Sequence, residues 1–117
     1  MAYKSKEDAR AYFKRWYYAH KDKRIADIRR SIKRRKERNR LYVIDFLNNH
    51  PCTDCGEKDI LVLEFDHLRD KVANVSAMVS FGYKLETLVA EIKKCEVVCC
   101  NCHRRRTLKR LPRLKEG

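Results

Sequence analysis

Glycine and proline are scarce in this chain, 3 and 2 of 117 residues, and neither occurs between Met1 and His50. A stretch of that length without the two strongest helix breakers excludes a loop-rich N-terminal part and predicts helix. No apolar run is long enough to span a bilayer, and Met1-Ala2-Tyr3-Lys4 leads into charge rather than into a signal-peptide core. The expectation is a soluble, cytoplasmic protein with no membrane partner. In a reducing compartment its six cysteines point to metal ligands rather than disulfides. The length fits one domain, or one small domain with an appendage, and permits only a modest core.

Charge is what the chain has in excess, with a formal net of +13, and it is unevenly spread. Residues 1–50 carry 16 Lys/Arg against 6 Asp/Glu, residues 51–103 carry 6 against 9, and residues 104–117 carry 7 against 1. Two basic arms thus flank an acidic middle, which fits a polyanionic partner because each cation that neutralises a phosphate releases counterions. Nucleic acid is the expected partner. Charge alone does not separate DNA from RNA, since phosphate contacts carry no sugar preference.

Along the first arm, Ser5 and Asp8 resemble a capping box, and Ala9, Tyr12, Phe13, Trp16 and Tyr17 follow helical spacing, so that face is expected to pack. The polar interval His20–Lys23 suggests a bend, with Asp22 capping a second helix. Residues 33–40 are charged on every side of a helix, and Lys33, Arg34, Arg35 and Arg38 are candidate phosphate contacts. Leu41, Ile44 and Leu47 restore an apolar face before Pro51 ends the helix, so residues 41–49 are expected to dock on the domain C-terminal to them. Leu61–His67 reads as a strand and residues 84–94 as an amphipathic helix. Val72, Val75, Met78 and Val79 suggest a short helix. Glu96-Val97-Val98 forms a second short strand, leading into a helix that runs to about Arg110.

Cys52-Thr53-Asp54-Cys55-Gly56 and Cys99-Cys100-Asn101-Cys102 are two C-x-x-C pairs with 43 residues between them. Four thiolates can close a tetrahedral zinc site with no position open for substrate, so such an ion would be structural. Cys95 reads as packing, and Cys100 as the alternative ligand should the knuckle be shifted by one. Asp66 and His103 can supply a second, open centre. On a helix His103 points about 100° away from Cys102, which separates the two metals. His67 is then left to act as a base toward water. Strict strand alternation sends Asp66 and His67 to opposite faces, so a shared site requires the strand to end or bulge there.

The arrangement C-x-x-C-G, then L-E-F-D-H, then E-I-K-K-C-E-V-V-C-x-N-C-H-R-R-R-T resembles the HNH endonucleases of the His-Me finger group over about residues 51–107. The resemblance implies an α+β fold, a ββα-metal (HNH) domain over 51–110 stapled by a four-cysteine zinc site. A basic helical DNA-binding arm, 1–50, precedes it and a basic tail, 111–117, comes after it. It implies that His67 is the general base, that Asp66 and His103 hold a catalytic Mg²⁺ or Mn²⁺, and that Cys52, Cys55, Cys99 and Cys102 bind Zn²⁺. One departure is the family's middle Asn, expected where this chain has Lys94-Cys95; Asn101 lies between zinc cysteines instead. The implied activity is metal-dependent hydrolysis of double-stranded DNA, with Arg104, Arg105 and Arg106 on phosphates; a homodimer would let two sites face opposite strands. The alternative is a zinc-ribbon nucleic-acid-binding protein without catalysis.

Overall fold

A computed structural model describes residues 4–111. Helix α1 (Lys6–Asn48) is followed by a 3-10 turn (Ile60–Val62), strand β1 (Leu63–His67), helices α2 (Val75–Ser80) and α3 (Leu85–Ile92), strand β2 (Cys95–Cys99) and helix α4 (Cys100–Arg110). The fold therefore mixes helices with one small two-stranded sheet. The chain divides into two compact units, Met1–Arg34 and Arg35–Gly117, the division falling inside α1. Apart from Leu111, the basic tail lies outside the described residues.

In the first unit, the Asp8 N–H donates to Ser5 Oγ at 3.1 Å, which satisfies one otherwise orphaned amide of the first turn. The bend expected at His20–Lys23 is absent. α1 runs through it, with the His20 ring stacked on Trp16 at 4.4 Å and its Nδ1 donating to the Trp16 carbonyl at 2.8 Å. With no glycine or proline to interrupt the ladder, Asp22 simply stays helical. Much of the aromatic face stays exposed, Trp16 at 39% and Tyr17 at 48%, with Trp16 held by His20 and by Arg24 at 5.7 Å from its ring.

In the second unit, docking of α1 begins at Asn39. This residue is fully buried and donates from Nδ2 to the Tyr83 carbonyl at 2.8 Å. Further along, Leu47 is buried and Val43 and Phe46 are half-buried against the same core, whereas Leu41 and Ile44, expected on the docking face, are 56% and 38% exposed. β1 and β2 pair antiparallel in unbroken register from Leu63↔Cys99 to His67↔Cys95. The strand is shorter than its sequence suggested. Asp59 accepts from the Leu61 N–H at 3.0 Å and curls residues 60–62 into a 3-10 turn, which leaves Leu61 89% exposed.

Two apolar clusters hold this unit together. One joins Leu47, Leu63, Val97 and Val98 to the buried cysteines, and the other joins Val75, Met78, Leu88 and Ile92. Val43, Phe46 and Phe65 pack against both. Val72, expected in the short helix, is 72% exposed and precedes its first turn, which Asn74 opens.

Candidate functional site

Backbone turns as well as core packing place the cysteines. The Gly56 N–H donates to the Cys52 carbonyl at 2.9 Å, Gly56 takes a φ of +80° that disfavours any side chain, and Thr53 N–H ties the loop to the Val97 carbonyl on β2 at 2.8 Å. On the other side, Cys99 caps α4 and accepts from the Cys102 N–H at 3.4 Å. Sγ atoms of Cys52, Cys55, Cys99 and Cys102 thus lie within 4.8 Å of one another. The Cys55 and Cys99 sulfurs are 3.7 Å apart, against the roughly 3.8 Å that tetrahedral Zn–S bonds of about 2.3 Å demand. All six cysteines are free thiols. Burial resists ionisation of Cys52, but the surrounding backbone N–H groups and the Cys55 thiol outweigh it and draw Cys52 down to about 6. Burial and the neighbouring cysteines push Cys102 up to about 12. One thiolate therefore suppresses another, a conflict that a divalent cation removes. Cys100 is exposed and outside this cluster; Cys95 is half-buried and donates to the Glu91 carbonyl at 3.4 Å.

Asp66 projects toward α4, where His103, Arg106 and Arg110 sit at i, i+3 and i+7 and so share a face. Arg110 donates through two nitrogens at 3.0 and 2.8 Å, and Arg106 Nη1 donates at 2.8 Å. His103 Nε2 lies 3.6 Å from Asp66 Oδ1, while its Nδ1 lies 3.3 Å from Glu64 Oε2. The hydrogen bonds from Arg110, opposed by burial and reinforced by Arg106 and His103, hold the Asp66 carboxyl down to about 2. Asp66 is thus ionised and close enough to His103 to share an ion with it. Both of its oxygens are also engaged by guanidinium groups. The other side of Arg106 grips Asp54, between the first two cysteines, with paired bonds of 2.7 Å.

His67, the last residue of β1, turns the opposite way, as alternation requires: its Nε2 is 3.0 Å from Glu91 Oε1 on α3. No bulge interrupts the pairing; the strand ends there. Asp66, His67 and His103 nevertheless line one cavity of about 800 Å³ in the second unit, with Glu64, Asn74 and apolar Val43, Leu63, Val75 and Val79. Arg40, Lys71 and Arg110 supply cationic lining. Lys33, Arg34, Arg35 and Arg38 are exposed on α1, as are Arg104 and Arg105 on α4. Arg106 differs, its side chain being 18% exposed and committed to Asp54 and Asp66.

Glu91, Glu64, Asn74 and Arg110 join the site only in the folded chain. The spacing of His103, Arg106 and Arg110 was a visible signal for the last. Glu91 was masked by the apolar stripe of α3 beside it, and Asn74 by a stretch with little periodicity. Compared with known proteins, the chain matches no family model, no curated protein and no solved structure.

Proposed function

We propose that this protein is a metal-dependent endonuclease of the HNH type, with a ββα-metal unit made of β1, β2 and α4, hydrolysing phosphodiester bonds in double-stranded DNA. The observation that carries the reading is the meeting of Asp66, His67 and His103 around one cation-lined cavity, directly beside a four-cysteine cluster with zinc-like spacing. In this reading Cys52, Cys55, Cys99 and Cys102 hold a structural Zn²⁺ that fixes the start of α4 against β2. Asp66 and His103 would hold a Mg²⁺ or Mn²⁺, with Glu64 as a neighbouring carboxylate. That ion, when bound, supplies Lewis-acid stabilisation of the charge developing on the phosphate and on the leaving 3′ oxygen.

The chain's own residues account for the remaining steps. His67 accepts a proton from the attacking water, and the cationic residues of the cavity favour the incoming phosphate. Because Asp66 is paired with Arg106 and Arg110, those guanidinium groups must loosen before the carboxylate can take up an ion, and a DNA phosphate is a competing anion suited to draw Arg110 away. Exposed Lys33, Arg34, Arg35, Arg38, Arg104 and Arg105 would contact phosphates along the duplex.

The test is nicking of supercoiled plasmid by zinc-loaded protein in Mg²⁺ or Mn²⁺, with His67→Ala as the control. The variant should lose at least ~100-fold in rate, the range expected for removal of a general base, while zinc content and DNA binding persist. Full activity in His67→Ala excludes it as the base. The same pairing of Asp66 with two arginines favours a second reading, a non-catalytic zinc-ribbon protein in which Asp66 is structural. Absence of divalent-dependent nicking by the wild type, with DNA binding intact, would select it.

A further inference from the structure

Glu91 is a carboxylate in the wrong place for a purely apolar helix face. It lies on α3 among Leu88 and Ile92 and is 2% exposed. Its Oε1 accepts from the Val72 N–H at 3.0 Å and lies 3.0 Å from His67 Nε2, and its Oε2 accepts from Lys94 Nζ at 3.2 Å. A buried carboxylate is costly unless every lone pair is answered, and two of these three partners would serve a structural staple equally well. The third is the residue assigned above as the base.

Burial works against the charge on Glu91, but the Val72 N–H, Lys94 and His67 more than offset it, so the group is held below the usual carboxylate range. An ionised carboxylate can only accept. His67 Nε2 must therefore carry the hydrogen in this contact, and in the neutral ring the lone pair falls on Nδ1. His67 also lines the cavity, so the nitrogen left to take a proton belongs to a residue facing the substrate space.

We propose that Glu91 is a positioning residue that fixes His67 in the Nε2–H tautomer and so reserves Nδ1 as the proton acceptor. The proposal rests on the endonuclease reading for its catalytic meaning, but its structural content can be measured without substrate. Carboxylate–imidazole pairs of this kind orient the base and hold its tautomer, and a wrong tautomer disables a base that is otherwise intact.

The experiment compares the zinc-loaded full chain with Glu91→Gln and with Ile92→Val, which trims the neighbouring core residue and leaves the carboxylate in place. Nitrogen-15 NMR of the His67 ring, recorded where it is neutral and without DNA, should show a protonated Nε2 and a bare Nδ1 in the wild type and in Ile92→Val. In Glu91→Gln, whose amide can present either its oxygen or its NH₂, both tautomers should appear. Nicking should fall at least ~10-fold in Glu91→Gln at unchanged zinc content, mainly in kcat, and less than ~3-fold in Ile92→Val. A bare Nε2 in the wild type overturns the proposal whatever Glu91→Gln does. An unchanged tautomer and rate in a folded Glu91→Gln, or equal losses of rate in both variants, overturns it as well. A wild type that shows the Nε2–H tautomer but does not nick DNA defeats the endonuclease reading and leaves the tautomer assignment standing.

Discussion

Replacing Asp66 by Asn tests the electrostatics at the centre of the site. The carboxyl is almost fully buried and receives two bonds from Arg110 and one from Arg106 at 2.8–3.0 Å. It titrates near 2, where an ordinary aspartate does so near 3.8. A gap of that size corresponds to roughly 2.5 kcal/mol of folding stability at neutral pH. The sign comes from the direction: the folded group is harder to protonate, so the contribution is fully present above about pH 4 and is lost as pH falls toward 2. Asn mimics the protonated form in shape and deprives Arg110 and Arg106 of the anion they share, so Asp66→Asn should lose about 2–3 kcal/mol at pH 7. For a domain of this size that is roughly a 10–20 °C fall in Tm. The assay is urea unfolding of the zinc-loaded protein followed by circular dichroism. The difference between wild type and variant should not shrink from pH 8 to pH 5, because Asp66 is ionised throughout. A loss below about 0.5 kcal/mol, or a difference that shrinks across that range, would refute the claim that the arginines hold this carboxylate.

The other expectations concern separate parts of the molecule. One zinc per chain should be found by elemental analysis, retained in Cys100→Ser and lost in Cys52→Ser, and chelation should abolish cooperative unfolding of the cysteine-bearing unit. If Cys100→Ser loses the metal, the ligand set is wrong. Arg104→Ala, on an exposed side chain, should lower the slope of log affinity for DNA against log salt by about 0.9 with no change in Tm. Arg106→Ala should instead lower Tm, since its guanidinium joins Asp54 to Asp66. Asn39→Ala should cost about 1–3 kcal/mol, since it removes the buried amide that answers the Tyr83 carbonyl, with the loss read from the same unfolding curves.

Much of the local structure was legible because it depends on neighbours in sequence. The cap at Ser5, the helix of residues 85–92, the short second strand and the helix starting after Cys99 all arise from periodicity and capping chemistry. Where local reasoning failed, two local signals competed. At His20–Lys23, polar residues suggested a bend, but nothing there prevents the helical ladder from continuing. At Leu61, alternation suggested strand, but the Asp59 side chain captures the Leu61 N–H and wins. Asn39 looked like one more polar residue in a charged run; it is buried because a carbonyl 44 residues away needs a donor.

Residue spacing alone established that the cysteines come in two knuckle pairs, that Asp66 and His67 alternate at a strand end, and that His103 turns away from Cys102. Covalent geometry and the periods of helix and strand fix those relations. The groups that answer each side chain emerged only from the folded chain: Arg106 and Arg110 for Asp66, Glu91 for His67, and a shared cavity for both. Such pairings join residues 24 to 44 positions apart. They are settled by which charges the β1–β2 register and the docking of α3 and α4 bury together, because a buried charge must find its counter-charge wherever in the chain it lies.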